Sequence, residues 1–239
     1  MTNERAAPSP LSAAETAAIE ARVKALESQA GAQIVAAVVE RSDVYHGLRW
    51  RAFAVAASLA GFGLVLLDEL RATWTSEHAS LRALSLVLGA GAAAALAATM
   101  IPAFARLFLE PLRAEAEIHR QAESLFLGRE LFATRRRNAI LILASRFERR
   151  ASVYADRGVR ERLPDEAWSA VTARMNPLLA AGRTADALLA GLDAAEPLLA
   201  GHPARPVDDA DSGAGAPAGA AVDAANELPD GPIAAAGSR

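Results

Sequence analysis

AILILASRFERRASVYADRG, residues 139–158, is the stretch that decides how this chain folds. AILILAS (139–145) is an unbroken apolar run of seven residues closed by charge, the pattern of a strand buried on both faces. RFERR (146–150) reads as a tight polar turn, and ASVYA (151–155) as a strand folded back onto the first. Asp156, Arg157 and Gly158 then end that strand with turn chemistry. A lone two-stranded hairpin is marginal in water, so these strands need a third. A run of the same kind, QIVAAVVE (33–40), lies far upstream with no partner near it in sequence. The economical arrangement is one α/β domain in which residues 33–40 pair with residues 139–155.

The chain between them is apolar. Residues 52–67 (AFAVAASLAGFGLVLL) carry no charge, and Leu48 and Trp50 extend the stretch. As a helix, 52–67 rises about 24 Å, so Arg49 and Arg51 would snorkel to complete a membrane crossing. Residues 83–104 are uncharged over about 33 Å of helix, with Pro102 expected inside the span. Small residues four apart (Ala57/Gly61, Gly89/Ala93, Ala90/Ala94) suit close packing of the two helices. Arg41, Arg49 and Arg51 precede the pair, and Arg106, Arg113 and Arg120 follow it. The connecting residues 68–82 hold only Arg71 and Arg82 beside Asp68, Glu69 and Glu77. Both termini are therefore expected in the cytoplasm, on the inner face of the cell membrane, with the lipid bilayer as the first partner. No basic n-region leads into an apolar run at the start, so the first membrane helix would direct insertion.

Around this frame the remaining elements are helical. Ser12 with Glu15 makes a capping box for a helix over 11–30, with Ile19, Val23 and Leu26 on one stripe and Gly31 as its stop. Pro111 opens a helix to about Leu131, its inner side read as Leu112, His119, Ala122 and Phe126. Pro164 starts another with Trp168, Val171 and Met175 as core residues, and a last helix ends near Ala200. Beyond it, residues 205–225 are Asp, Ala, Gly and Pro with almost no large apolar side chain to offset ordering entropy.

The expected division is a flexible N-terminus (1–10), a first domain part (11–47) and a transmembrane helix (48–67). An external loop (68–82), a second transmembrane helix (83–104) and a second domain part (105–202) follow. A disordered tail (203–239) closes the chain, with NELPD (226–230) as a docking element.

Composition excludes several classes of chemistry. The 239 residues include no cysteine, which removes disulfides, iron–sulfur clusters and thiolate zinc sites. His46, His78, His119 and His202 show no metal-ligand spacing. A net charge of −3 gives no sign of a nucleic-acid partner. Lys24 is the single lysine in an arginine- and alanine-rich chain, a bias that makes alanine runs uninformative.

Residues 119–159, HRQAESLFLGRELFATRRRNAILILASRFERRASVYADRGV, resemble the core of the TPM domain family. That family is named for thylakoid-lumen, photosystem-repair and acetylcholine-receptor-modulating relatives. The likeness rests on Ala122, Phe126, Leu131, Thr134, Asn138, Ser145, Glu148, Arg149, Asp156 and Gly158. Trp168 and NELPD resemble the family's membrane-hairpin branch. The resemblance implies an α/β fold, a small mixed-sheet TPM-like sandwich, here interrupted by a two-helix transmembrane hairpin. It also implies divalent cation binding in some members and acid-phosphatase activity in others, although many of those relatives face a lumen or periplasm.

Asp43 and Asp156 both follow predicted strand ends, where α/β folds place binding groups. With parallel strands the two carboxylates would converge, with Asp165 or Glu148, on Ca²⁺ or Mg²⁺ through oxygen ligands. The plainer reading makes Asp156 a turn cap and leaves Asp43 exposed. Arg135–Arg137 fit either an anion or a solvated basic turn. Ser145 has no evident His–Asp partners and His119 lies within an amphipathic helix, which disfavours nucleophile chemistry. The expectation is a non-catalytic accessory protein that binds a partner in a membrane complex. The alternative is a metal-assisted, acid-phosphatase-like hydrolase using Asp43 and Asp156.

Overall fold

The computed structural model describes residues 11–42, 46–71, 79–134, 137–202 and 231–235. The chain divides into two compact units, one of Met1–Asp43 with Ala114–Arg239 and one of Val44–Arg113.

The first unit is built on a sheet whose described strands run β3-β2-β1-β4. These are β1 (Gln33–Val39), β2 (Ala139–Ser145), β3 (Arg150–Ala155) and β4 (Ile233–Ala235). β1 lies parallel to β2, with Gln33 opposite Ala139 and Val39 opposite Ser145. β3 runs antiparallel to β2, Ser145 opposite Arg150 and Ile140 opposite Ala155. The separated strands of the sequence therefore meet in one sheet. Parallel neighbours need a crossover connection, and this one contains the second unit and helix α5 (Pro111–Gly128), which begins at that unit's end.

Both faces of the sheet are covered, which is why β1 and β2 are buried at every position. Ile34, Ala36, Val38, Ile140, Ile142 and Ala144 face one core. It is shared with α1 (Ala13–Ala30), α7 (Ser169–Ala180) and α8 (Thr184–Ala200). Val35, Ala37, Val39, Leu141 and Leu143 face the other, under Ile118, Ala122 and Phe126 of α5. The buried stripe of α5 is Ala114, Ile118, Ala122 and Phe126, at strict four-residue spacing. Leu112 and His119, read from sequence as inward, are exposed, since they lie off that stripe.

Local signals at α1 act as expected. Ser12 and Glu15 form the reciprocal capping box, and Gly31 takes the left-handed conformation (φ 61°) that ends the helix. Arg22 clamps α1 to α8 through Asp193 (2.6 Å) and Glu196 (2.7 Å), contacts that raise its pKa above the usual arginine value.

The tail differs from expectation. Ile233–Ala235, within the segment read as disordered, add a parallel strand to β1 at Ala37–Val39. Backbone pairing supplies what the side chains of so small a stretch could not. Residues 203–230, with NELPD, lie outside the described residues.

The second unit holds α2 (His46–Arg71) and α3 (Ala79–Met100), both long and apolar enough to cross a membrane. A buried core helix of a soluble protein would pass the same length test, but 0% and 11% of their apolar windows are buried. Leu59, Phe62, Leu70, Leu84 and Leu96 are all more than half exposed. The two helices meet where Gly91 abuts Phe53: a Cβ on Gly91 would lie 2.7 Å from the ring. Gly61 faces Val87, whereas Gly89, expected at the contact, has open space. α3 ends at Met100, short of the expected residue 104. Pro102 disfavours helix at the residue before it, and Ile101 is extended (φ −115°) before a separate short helix, α4 (Pro102–Arg106).

Candidate functional site

The sheet presents its chemistry at two opposite ends. At the C-terminal ends of β1 and β2, Glu148 is buried in the turn between β2 and β3. It accepts from the Ser42 N–H at 2.9 Å and from the Ser145 hydroxyl in a short hydrogen bond. The carboxylate thus ties the exit of β1 to the hairpin. Around it Glu40 pairs with Arg146, and the Arg41 guanidinium stacks 3.9 Å over the Phe147 ring. Ser145 is fully buried with Glu148 as its partner, so it forms part of this tie.

The other end carries Asp156. Because β3 is antiparallel, its last residue lies beside the start of β2, where the Asp156 N–H donates to the Ala139 carbonyl at 2.9 Å. Asp156 N-caps the short helix α6 (Arg157–Arg160), its Oδ1 accepting from Arg157 N–H at 2.7 Å. Oδ2, buried, faces Arg137 Nε at 3.1 Å without the alignment of a hydrogen bond. Arg137 takes a left-handed backbone (φ 50°). Its N–H donates to the Thr134 carbonyl, and its own carbonyl accepts from Gly158 N–H. A non-glycine residue holds such a backbone only where its surroundings fix it.

Arg137 and Asp156 lie in an open cleft of about 460 Å³. Phe126, Phe132 and Tyr154 give it an aromatic wall, with Phe126 and Tyr154 rings 4.9 Å apart. Arg137 sits 5.3 Å from the Phe132 ring and Arg160 5.2 Å from the Tyr154 ring. Arg157 pairs with Glu161 at 2.9 Å on the rim. Arg162 donates to the Gly158 and His202 carbonyls, and burial lowers its pKa from the usual arginine value. The described lining contains no serine, threonine, cysteine or histidine.

Two of the sequence-predicted ligands are held by arginines. Asp165 is held by Arg160 in a fork of 3.1 and 3.2 Å, and Asp156 by Arg137 and the α6 N-terminus. Asp43 lies outside the described residues, but its neighbour Ser42 bonds Glu148 at the end of the sheet opposite Asp156. β3 runs antiparallel to β2, so the end of β3 that leads into Asp156 lies away from Ser42 and Glu148. A calcium site takes six to eight oxygens, and among the described residues no three acidic or histidine side chains are grouped to hold a metal. Of the arginine run, Arg135 and Arg136 lie outside the described residues. The sequence reading missed Phe132, Tyr154 and Arg160 as wall and rim. Tyr154, half-buried on an otherwise partly covered strand, was the available signal.

The TPM domain family model matches residues 92–197. That stretch is similar to the TPM domain. The match starts within α3, ends within α8, and contains both Glu148 and Asp156. The NMR structure of BA42 protein from the psychrophilic bacteria Bizionia argentinensis sp. nov. is similar in fold, with a TM-score of 0.50. It shares 14% sequence identity, over 95% of this chain and 97% of that one. No curated protein matches. The strand β1, central to the sheet, precedes the matched region and reaches the sheet only through tertiary pairing.

Proposed function

We propose that this is a membrane-anchored accessory protein whose cytoplasmic TPM domain docks a partner protein of a membrane complex through the aromatic and arginine cleft beside Asp156. The observation that carries the anchoring is the outward apolar surface of α2 and α3. Helices with Leu59, Phe62, Leu84 and Leu96 turned to solvent would be a large exposed patch in water, whereas a bilayer satisfies them. Arg49, Arg51, Arg106 and Arg113 at the outer ends of the pair support a cytoplasmic placement of both termini. Docking at the cleft is supported by its composition, since Tyr, Phe and Arg are the residues enriched at the centres of protein interfaces. Its wall offers apolar area and its rim offers guanidinium donors, with no serine, threonine, cysteine or histidine among the described lining residues.

The test uses the full-length protein in its native membranes. A photo-crosslinking residue at Phe132 is expected to capture a second protein, and Arg160→Ala combined with Tyr154→Ala to abolish the capture. Recovery of nothing but the protein itself would sink partner docking. Release of the chain by alkaline carbonate would sink the anchor.

A further inference from the structure

The outer edge of β1 is closed by two unlike devices. Gln33 donates to Asn138 and the Val39 carbonyl accepts from Arg146, so these odd positions turn toward β2. The even positions between them turn their backbone groups to the outer edge. At the start of the strand the buried Glu27 carboxylate, carried on α1, accepts the Ile34 N–H at 2.6 Å. At its end β4 takes over, Ala37 opposite Ile233, Val38 opposite Ala234 and Val39 opposite Ala235. An open edge strand is a template for pairing with another chain, and here it is covered along both halves.

The two covers differ in permanence. Glu27 belongs to the helix directly before β1 and is fixed by the fold. β4 reaches the edge after residues 201–232 and holds it with three residues, in the parallel pairing that is the weaker per residue. Ile233 is half-buried against the Val35, Ala37 and Val39 face of the sheet. Gly231 passes α1 so closely that a Cβ would stand 3.0 Å from Glu20 Oε1. This seat is specific, but the burial of one half-covered isoleucine is matched in size by the cost of ordering the segment and closing its loop.

We propose that the outer edge of β1 at Ala36–Val38 is a strand-docking site and that Ile233–Ala235 is its displaceable strap. The occupant is the chain's own C-terminal segment, bound in cis. The ligand that competes with it is an extended polypeptide of the same chemistry, a branched apolar residue followed by small ones, adding in parallel to β1. The site is distinct from the cleft beside Asp156 and does not depend on the docking proposed there.

Full-length wild type and Ile233→Asp in detergent micelles, with a fluorescent peptide of residues 229–236, provide the test. In the variant the Val38 amide is expected to exchange with solvent at least tenfold faster, while the Ile34 amide, held by Glu27, is unchanged. The peptide is expected to bind the variant at least tenfold more tightly than wild type, and a peptide carrying the same Asp is expected not to bind. Equal Val38 exchange in both proteins would show that the strap does not hold the edge. Faster exchange at Ile34 as well would make the segment an integral part of the core rather than a strap. Faster Val38 exchange without peptide binding would overturn the docking site.

Discussion

Asp156 shows how one side chain can satisfy a local rule and a tertiary one together. Its Oδ1 caps α6 and its Oδ2 faces Arg137, whose own side chain is half exposed. The cap is the stronger contribution, because an ion pair with an exposed partner is worth little. Asp156→Ala should therefore lower the unfolding free energy by about 1–2 kcal/mol, with Asp156→Asn within about 0.5 kcal/mol of wild type because asparagine caps equally well. Chemical denaturation of the full chain in detergent measures both. Calorimetric titration with Ca²⁺ or Mg²⁺ should show no binding heat that Asp156→Asn removes. Glu148 is different in kind: replacing it with alanine strands the Ser42 N–H and the Ser145 hydroxyl in a buried site, a loss of about 2–4 kcal/mol. At Glu15 the Ser12 N–H (2.8 Å) and hydroxyl (2.7 Å) hold the carboxyl below its ordinary value. A lowered pKa stabilises the fold at pH above the unfolded value, and that contribution is lost as pH falls through the folded one. Ser12→Ala removes the hydroxyl but keeps the larger contribution of the Ser12 N–H, so the Glu15 titration, followed by NMR, should rise only part of the way toward the ordinary carboxylate range.

Most elements were legible because their signals are local. The capping box, the glycine stop and the unbroken apolar runs each depend on a few neighbouring residues, and α1, β1 and β2 follow them closely. Where an expectation missed, a competing local rule won. Pro102 ended α3 early through the restriction it places on Ile101, and four-residue spacing chose Ile118 over His119 as the inner face of α5. The contact between α2 and α3 was legible only as a kind of residue, since an alanine-rich helix offers many small pairs and the partner side chain decides among them. Gly91 is the pair's close point because Phe53 lies against it. Gly91→Leu should loosen the pair and lower its thermal midpoint in detergent, and adding Phe53→Ala should recover part of the loss. The double-mutant cycle should give a coupling of about 0.5–3 kcal/mol; a coupling near zero would place the contact elsewhere.

At the scale of the whole molecule, the sheet unit is discontinuous: its central strand comes before α2 and α3 and its remaining strands come after them. If α2 and α3 both cross the bilayer, the two parts of the domain emerge on one side, as their shared sheet requires. Tags at residue 2 and residue 239 should then both resist external protease in intact cells and both be cleaved once the membrane is opened; cleavage of either one in intact cells would reverse the orientation. The need for β1 to meet β2 was readable from sequence by strand counting alone, because buried backbone groups demand partners. The two apolar helices were equally readable, since length and absence of charge are properties of the chain itself. Strand direction was not. Whether β3 brings Asp156 to the Ser42 end of the sheet or away from it depends on the hairpin turn and sheet pairing, and the antiparallel return carries it away. Nor was β4 readable, because Ile-Ala-Ala has no pattern of its own and becomes a strand only against an edge that a distant segment has already formed.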